Sequence, residues 1–360
     1  MALTDSLHGD DTALGSDAVM AAVIVGPGVE PRVGRIALPP RKHGTSLVSV
    51  LAAPLNPLDL LIASGNFHSV RHETAYTPGS ECVGVVLESD RFPAGTRVYG
   101  VSRPSPNTPG TFAARTLMTD EDLLELPGEI DPVVAAAVGN SGIAAYLPLI
   151  EDAGLRAGDN VLILGATGAV GQIAIQLARR KGAGRIVAVA RNGQALQRLL
   201  SLGADDIVEI RTGESAADLA ARMRMACKSV DVVLDALFGV PLEAALEVCA
   251  PRARVVNIGN MAGEVAAIPA GLLRGRQITI SGFAGIHISL QAKRAGLKWL
   301  WEAIARDELN LPVTTYPLAQ FATAWQDQQA SPYGKCVIVP GETGTSNAQH
   351  PTEYTHHTGE

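Results

Sequence analysis

The sequence predicts an α/β fold, with a doubly wound parallel sheet set in a chain that also carries a β-rich domain. Three observations predict it. Between residues 155 and 283, apolar strands alternate with helical stretches, the pattern of a parallel sheet covered on both faces. A glycine turn, Gly165-Ala166-Thr167-Gly168-Ala169-Val170-Gly171, sits between the first of those strands and the first helix. The chain has 360 residues, which is too long for one ordinary domain and comfortable for two.

The alternating region reads, in order, as strand Asn160–Leu164, a helix from about Val170 to Lys181, and strand Arg185–Val189. A helix over 193–202, strand Asp206–Ile210, a helix over 214–227 and strand Val230–Leu234 come next. A helix over 241–249 and strands Arg254–Ile258 and Gln277–Gly282 complete the sheet, and a helix over about 289–306 follows. Upstream, residues 20–140 hold apolar runs at Ala21–Val25, Thr45–Ala52, Cys82–Leu87 and Arg97–Val101. Turn signals such as Gly26-Pro27-Gly28, Pro39-Pro40 and Pro93-Ala94-Gly95 separate them, which predicts an irregular β-rich domain. The segment Val313–Pro340 is mixed and ends in strand Lys335–Val339. Residues 1–18 and 341–360 are polar and without period, and read as disordered tails. His350, His356 and His357 belong to the second tail and read as solvated.

Composition excludes several functions. A net charge of −7 argues against nucleic acid or an anionic membrane surface as partner. No apolar run reaches the ~20 residues of a membrane span, and the N-terminus lacks the apolar segment of a signal peptide. No two of Cys82, Cys227, Cys249 and Cys336 share a CxxC spacing. A zinc knuckle is therefore not expected, nor is a disulfide framework at this size, and a reduced, cytoplasmic setting fits better.

The glycine turn follows a strand and opens a helix, the context that makes it a dinucleotide site. Gly168 lets a pyrophosphate approach the backbone, and Gly171 lets the helix pack closely on the strand. The amides of Ala169 and Val170, beside Thr167, then meet the phosphates at a helix N-terminus. Ala166 stands where the commonest version of the motif has its first glycine. The next strand ends in Ala190-Arg191-Asn192, where an NAD-preferring protein carries Asp or Glu. Alanine does not repel a 2′-phosphate and Arg191 can pair with one, so the expected cofactor is NADPH.

Those residues are part of a wider pattern. Asn56-Pro57-Leu58-Asp59, Pro78-Gly79-Ser80-Glu81-Cys82-Val83-Gly84 and Gly139-Asn140-Ser141-Gly142 come first. The glycine turn, Asn257-Ile258-Gly259 and Gly334-Lys335-Cys336-Val337 follow in order. In this pattern the chain resembles the medium-chain dehydrogenase/reductase superfamily over about residues 20–340, and its zinc-independent, quinone oxidoreductase-like branch in particular. The resemblance implies a GroES-like catalytic domain of residues 19–139 plus 312–340, and a Rossmann NADP-binding domain of residues 140–311 inserted in it. It also implies an active site in a cleft at the carboxyl ends of the parallel strands. A homodimer paired through the strand at Gln277–Gly282 is expected with it.

Zinc-dependent members carry cysteine and histidine ligands where this chain has Asn56, Ser80 and Asn140, so no metal is expected. Without a Lewis acid, a conjugated acceptor, a quinone or an α,β-unsaturated carbonyl, is the easier substrate, because charge spreads to its oxygen as hydride adds. The resemblance offers Asn56 as a cleft-facing donor and Asp59 as an orienting or capping residue. Asn140 is expected near the nicotinamide, Asn257 and Gly259 beside the carboxamide, and Phe283 on the pocket wall. A tyrosine common soon after the first loop is replaced here, with Leu61 and Phe67 at the candidate positions. His68, His72 and Tyr76 are the candidates to replace it. Two other readings stay open: a zinc-free carbonyl reductase or alcohol dehydrogenase of a specialised pathway, and an NADPH-binding protein without turnover.

Overall fold

The computed structural model describes residues 18–67, 72, 74–105, 107–128, 130–331 and 333–341. His68 and, apart from Ala18 and Gly341, both expected tails lie outside those residues. The chain divides into two compact units. The first takes the described residues of Met1–Gly139, Ser289–Arg294 and Pro312–Glu360, and the second takes Asn140–Ile288 and Ala295–Leu311.

The strands, in chain order, begin with β1 (Ala18–Val23), β2 (Arg32–Ala37), β3 (Thr45–Pro54), β4 (Glu81–Glu88), β5 (Arg97–Val101), β6 (Arg115–Thr119) and β7 (Leu123–Glu125). Next come β8 (Asn160–Leu164), β9 (Arg185–Ala190), β10 (Asp206–Glu209), β11 (Val230–Asp235), β12 (Cys249–Asn257) and β13 (Thr279–Gly282). The last two are β14 (Val313–Pro317) and β15 (Lys335–Val339).

The first unit is built on a seven-stranded sheet ordered β14-β15-β3-β4-β5-β7, with β6 paired to β3. Strand β3 is its axis. Nearly every second residue is buried, and β4, β6 and β15 all bond to it antiparallel. A core of Val48, Val50, Leu55, Phe112, Phe321 and Trp325 packs beneath, with Phe112 and Phe321 ring centroids 4.9 Å apart. Strands β1 and β2 form a separate two-stranded sheet. Strand β2 was not expected: it carries two arginines and a glycine, and only Ile36 is buried. The segment read as mixed holds β14, which runs parallel to β15.

The second unit holds a six-stranded parallel sheet in the order β10-β9-β8-β11-β12-β13. The first strand, β8, lies inside the sheet, and the chain then fills outward on either side of it. The strand order reverses between β8 and β11, which makes that edge a topological switch point. Strands β8 and β9 are buried along almost their whole length, as a sheet covered on both faces requires. The edge strand begins at Thr279 rather than at Gln277, because Gln277 caps helix Ala270–Arg276 in a left-handed conformation. Helix Gly139–Tyr146 runs on into a π-helical stretch, Leu147–Asp152, that contains Pro148.

Helix Ala169–Arg180 packs directly on the turn that follows β8. A Cβ at Gly171 would lie 2.5 Å from Ala166 Cα and 2.6 Å from its carbonyl oxygen. Backbone cannot swing aside as a side-chain tip can. We therefore expect Gly171→Ala to cost about 2 kcal/mol or more, read as a lower denaturant midpoint. An unchanged midpoint would show that the turn relaxes freely.

Candidate active site

The six parallel strands of the second unit each lead into a loop at the carboxyl end, and the sequence-predicted nucleotide residues lie on or beside those after β8, β9, β12 and β13. After β8, Gly168 is the N-cap of helix Ala169–Arg180, with extended backbone and no side-chain cap. The N–H groups of Ala169, Val170 and Gly171 thus have no acceptor within the helix. A Cβ at Gly168 would meet only Gly165 O, at 3.6 Å, so the position beside these amides is open. The turn is held from behind by Gln172, whose Nε2 donates to Thr167 O at 2.9 Å. These residues fit a pyrophosphate: free donors, the positive end of a helix, and no side chain in the way.

After β9, Ala190 is buried and Arg191 is exposed. Among the described residues Arg191 makes no hydrogen bond or ion pair. Asn192, expected at the cofactor, is spent locally. Its side chain accepts from Ala195 N–H at 2.9 Å and caps helix Gly193–Ser201.

After β11 and β12 the structure shows an organiser that sequence reasoning missed. Asp235 is fully buried and accepts from the N–H groups of Leu237 and Phe238, both at 2.9 Å. Burial pushes its carboxyl pKa up, and those bonds oppose the shift. Asn257 donates Nδ2 to Asp235 Oδ2 at 2.8 Å and to Gly259 O at 2.7 Å. The Asn257 amide N–H groups expected beside a carboxamide are therefore engaged inside the protein. After β13, the backbone N–H of Phe283 donates to Asn257 O at 2.8 Å. A Cβ at Gly285 would lie 3.5 Å from both the Phe283 ring and Asn140 Oδ1. Phe283 and Asn140, named separately from sequence, thus come together at one glycine.

In the first unit the NPxD loop leads from β3 into helix Pro57–Ala63, and here the structure corrects an expectation. Asn56 does not offer a free donor: it is 2% exposed and both ends of its amide are engaged. The Lys335 ammonium donates to Asn56 Oδ1 at 2.6 Å, and Asn56 Nδ2 donates to Glu81 Oε1 at 2.8 Å. Tyr99 donates its hydroxyl proton to Glu81 Oε2 at 2.6 Å. Burial lowers the Lys335 pKa, and the carboxylates of Glu81 and Asp59 oppose that shift. Helix Gly139–Tyr146 can begin here only with glycine, because a Cβ at Gly139 would lie 2.4 Å from Glu81 Oε2. Sequence reasoning quoted Glu81 and Lys335 inside motifs but gave neither a role, and it passed over Tyr99.

Asp59 lies beside this network. Its Oδ2 accepts from Asn56 N–H at 2.9 Å, which secures the loop. Burial pushes its pKa up to about 7, against the opposing bond from Asn56. Tyr76 and His72 form a second group. They are 2% and 9% exposed, with ring centroids 4.1 Å apart. Among the described residues, Tyr76 OH and His72 Nε2 are buried without a hydrogen-bond partner. Burial lowers the His72 pKa, while burial and the Asp59 charge raise that of Tyr76, so both are neutral near pH 7. Buried polar atoms left unpaired cost about 1–3 kcal/mol each, and a catalytic role or an ordered water accounts for such groups. Among the described residues, no three His, Cys, Asp or Glu side chains cluster closely enough to hold a metal ion.

Comparisons with known proteins bear on the family and the fold. The family model described as zinc-binding dehydrogenase matches residues 169–302. A quinone oxidoreductase of Lama guanicoe is 28% identical over 337 residues, covering 89% of this chain and 97% of that protein. A quinone oxidoreductase of Pongo abelii is 30% identical over 239 residues, covering 65% of this chain and 70% of that protein. A mycobacterial protein solved in complex with NADPH superposes with a TM-score of 0.78 at 24% identity, over 89% of this chain and 100% of that one, a likeness of fold.

Two outcomes test the buried network. Lys335→Met removes the buried ammonium that faces the Glu81 carboxylate across Asn56 and should cost about 3 kcal/mol, and adding Glu81→Gln should recover part of it. Equal loss in the single and double variants would show that the two charges are not coupled. Asp59 predicts a pH dependence. Below about pH 4 folded and unfolded chains both keep this proton, and the group contributes nothing. From there to about pH 7 only the folded chain keeps it, so stability falls as pH rises, and the full cost persists above pH 7. Asp59→Asn should flatten that fall by about 2 kcal/mol in denaturation series at pH 5 and pH 8. An identical slope in the variant would contradict the assignment.

Proposed function

Because this chain belongs to the quinone oxidoreductase family of the medium-chain dehydrogenase/reductase superfamily, we propose that it is an NADPH-dependent, zinc-independent reductase of a conjugated acceptor, a quinone or an α,β-unsaturated carbonyl. The observation that carries this reading is the open position at Gly168. Three unspent amides, of Ala169, Val170 and Gly171, face it at a helix N-terminus. Thr167 contributes to the same turn. The acid-free strand end at Ala190, followed by an unpaired Arg191, favours a nucleotide that carries a 2′-phosphate. When bound, NADPH supplies the hydride.

The remaining work falls to side chains. As hydride adds to the far carbon of a conjugated acceptor, negative charge collects on its oxygen and needs a donor. We assign that role to Tyr76: burial keeps its O–H proton in place, and among the described residues the hydroxyl has no hydrogen-bond partner. His72 packs against the tyrosine ring, the two planes tilted by 42°, and supports it. Asn56 and Asp59 act as positioning residues, through the Lys335–Asn56–Glu81 chain and the loop bond respectively. We assign Asn140, Gly259 and Phe283 to the boundary of the nicotinamide half, a reading supported by the approach of Asn140 and Phe283 at Gly285. The donor set argues for metal-independent chemistry: an asparagine bonded at both ends, a serine and a second asparagine are poor zinc ligands.

The same reading covers the surroundings. The partner is a small-molecule substrate. No helix among the described residues is long and apolar enough to cross a membrane. All four cysteines are free and buried, which fits the reducing cytoplasm. Among the described residues strand β13 bonds to β12 alone, and its open edge suits pairing with a second copy into a homodimer.

The test is NADPH oxidation against quinones, enones, enals and simple ketones, with and without a chelator. We expect turnover of conjugated acceptors alone, unaffected by chelation. Tyr76→Phe should lower kcat by about tenfold or more while leaving NADPH affinity unchanged. Turnover of simple ketones would favour a carbonyl reductase, and NADPH binding without oxidation would favour a non-catalytic protein.

A further inference from the structure

The nucleotide site includes a carboxylate that the reading above does not use. Strand β10 runs parallel to β9, and the last residues of that pairing are Glu209 and Ala190. Glu209 thus ends its strand at the level where β9 would present an acid to the adenosine ribose, one strand spacing of about 4.8 Å away. It is exposed, as is Arg191. Its carboxylate lies flat against the turn after Arg191. A Cβ at Gly193 would lie 2.9 Å from Glu209 Oε2, 3.2 Å from Cδ and 3.3 Å from Oε1. Any larger residue at Gly193 would push the carboxylate away. Among the described residues this carboxylate makes no hydrogen bond or ion pair, with Arg191 or any other group.

We propose that Glu209 supplies, from the neighbouring strand, the ribose-hydroxyl acceptor that β9 lacks, so that the site takes NADH as well as NADPH. This rests on the reading that the turn at Gly168 binds a nicotinamide dinucleotide. A carboxylate accepts hydrogen bonds from a ribose 2′,3′-diol, and the same carboxylate repels a 2′-phosphate. Arg191 has the opposite preference. The two charges flank Ala190, and their balance sets the ratio of the two affinities.

The experiment is titration of the intact protein with NADH and with NADPH, followed by calorimetry and by nicotinamide fluorescence. Wild type, Glu209→Gln and Arg191→Ala are compared, since glutamine keeps the shape and removes the charge. In Glu209→Gln the Kd for NADH should rise about tenfold and the Kd for NADPH should fall about threefold. Arg191→Ala should move the ratio the other way. If wild type binds NADPH and Glu209→Gln leaves the ratio within about twofold, this assignment alone is overturned. If wild type binds neither nucleotide, the nucleotide site and this assignment are both overturned.

Discussion

One buried charge balance holds the Asn56–Asp59 loop of the first unit in place. An ammonium and a carboxylate, from Lys335 and Glu81, sit at opposite ends of the Asn56 amide. Neither is reached by water, so each needs the other's compensation relayed through that amide. Asparagine suits this place because it is at once a donor and an acceptor. The loop, the start of helix Pro57–Ala63 and the glycine at 139 all follow from keeping that relay closed. In zinc-dependent relatives the corresponding loop carries a metal ligand. Here its side chain is committed to a protein cation, which is a physical reason to expect chemistry that needs no Lewis acid.

The second unit follows a complementary logic, in which polar groups are either consumed locally or left deliberately open. Asn192 caps a helix, Asn257 ties two strand ends together, and Asp235 gathers three N–H groups. These bonds stiffen the loops around the switch point. The amides after Gly168 are the exception, and a rigid frame around unspent donors is how a phosphate site is preorganised. Arg191 and Glu209, likewise uncommitted, stand at the far corner of the same frame.

Much of this was legible from the sequence where signals are local. Strands Asn160–Leu164, Arg97–Val101 and Lys335–Val339 were readable to the residue, because apolar runs bounded by turn residues carry their own boundaries. The glycine turn was readable because strand, glycines and helix are consecutive. Strand β2 was not, since an exposed two-stranded ribbon with charged residues lacks a buried face to betray it. The Lys335–Asn56 bond spans 279 positions, and no periodicity reports a contact of that range. Asn56, Asn192 and Asn257 were read from the sequence as facing substrate or cofactor, and each is instead bonded within the protein. Whether each faces a ligand or the protein is decided by neighbours that only the fold brings up. Tyr76 was one of three candidates, with His68 and His72, and the lack of a partner for its hydroxyl among the described residues is a property of packing alone.

The central claim, hydride delivery from a nicotinamide to conjugated carbon without metal, is tested most directly by isotope transfer. Protein stripped with a chelator and checked by elemental analysis would be supplied with NADPH deuterated at C4 and a simple enone. The account predicts deuterium at the carbon β to the carbonyl, with one solvent hydrogen at the α carbon, at the rate of untreated protein. Deuterium on the carbonyl carbon, or transfer restored only by added zinc, would contradict it.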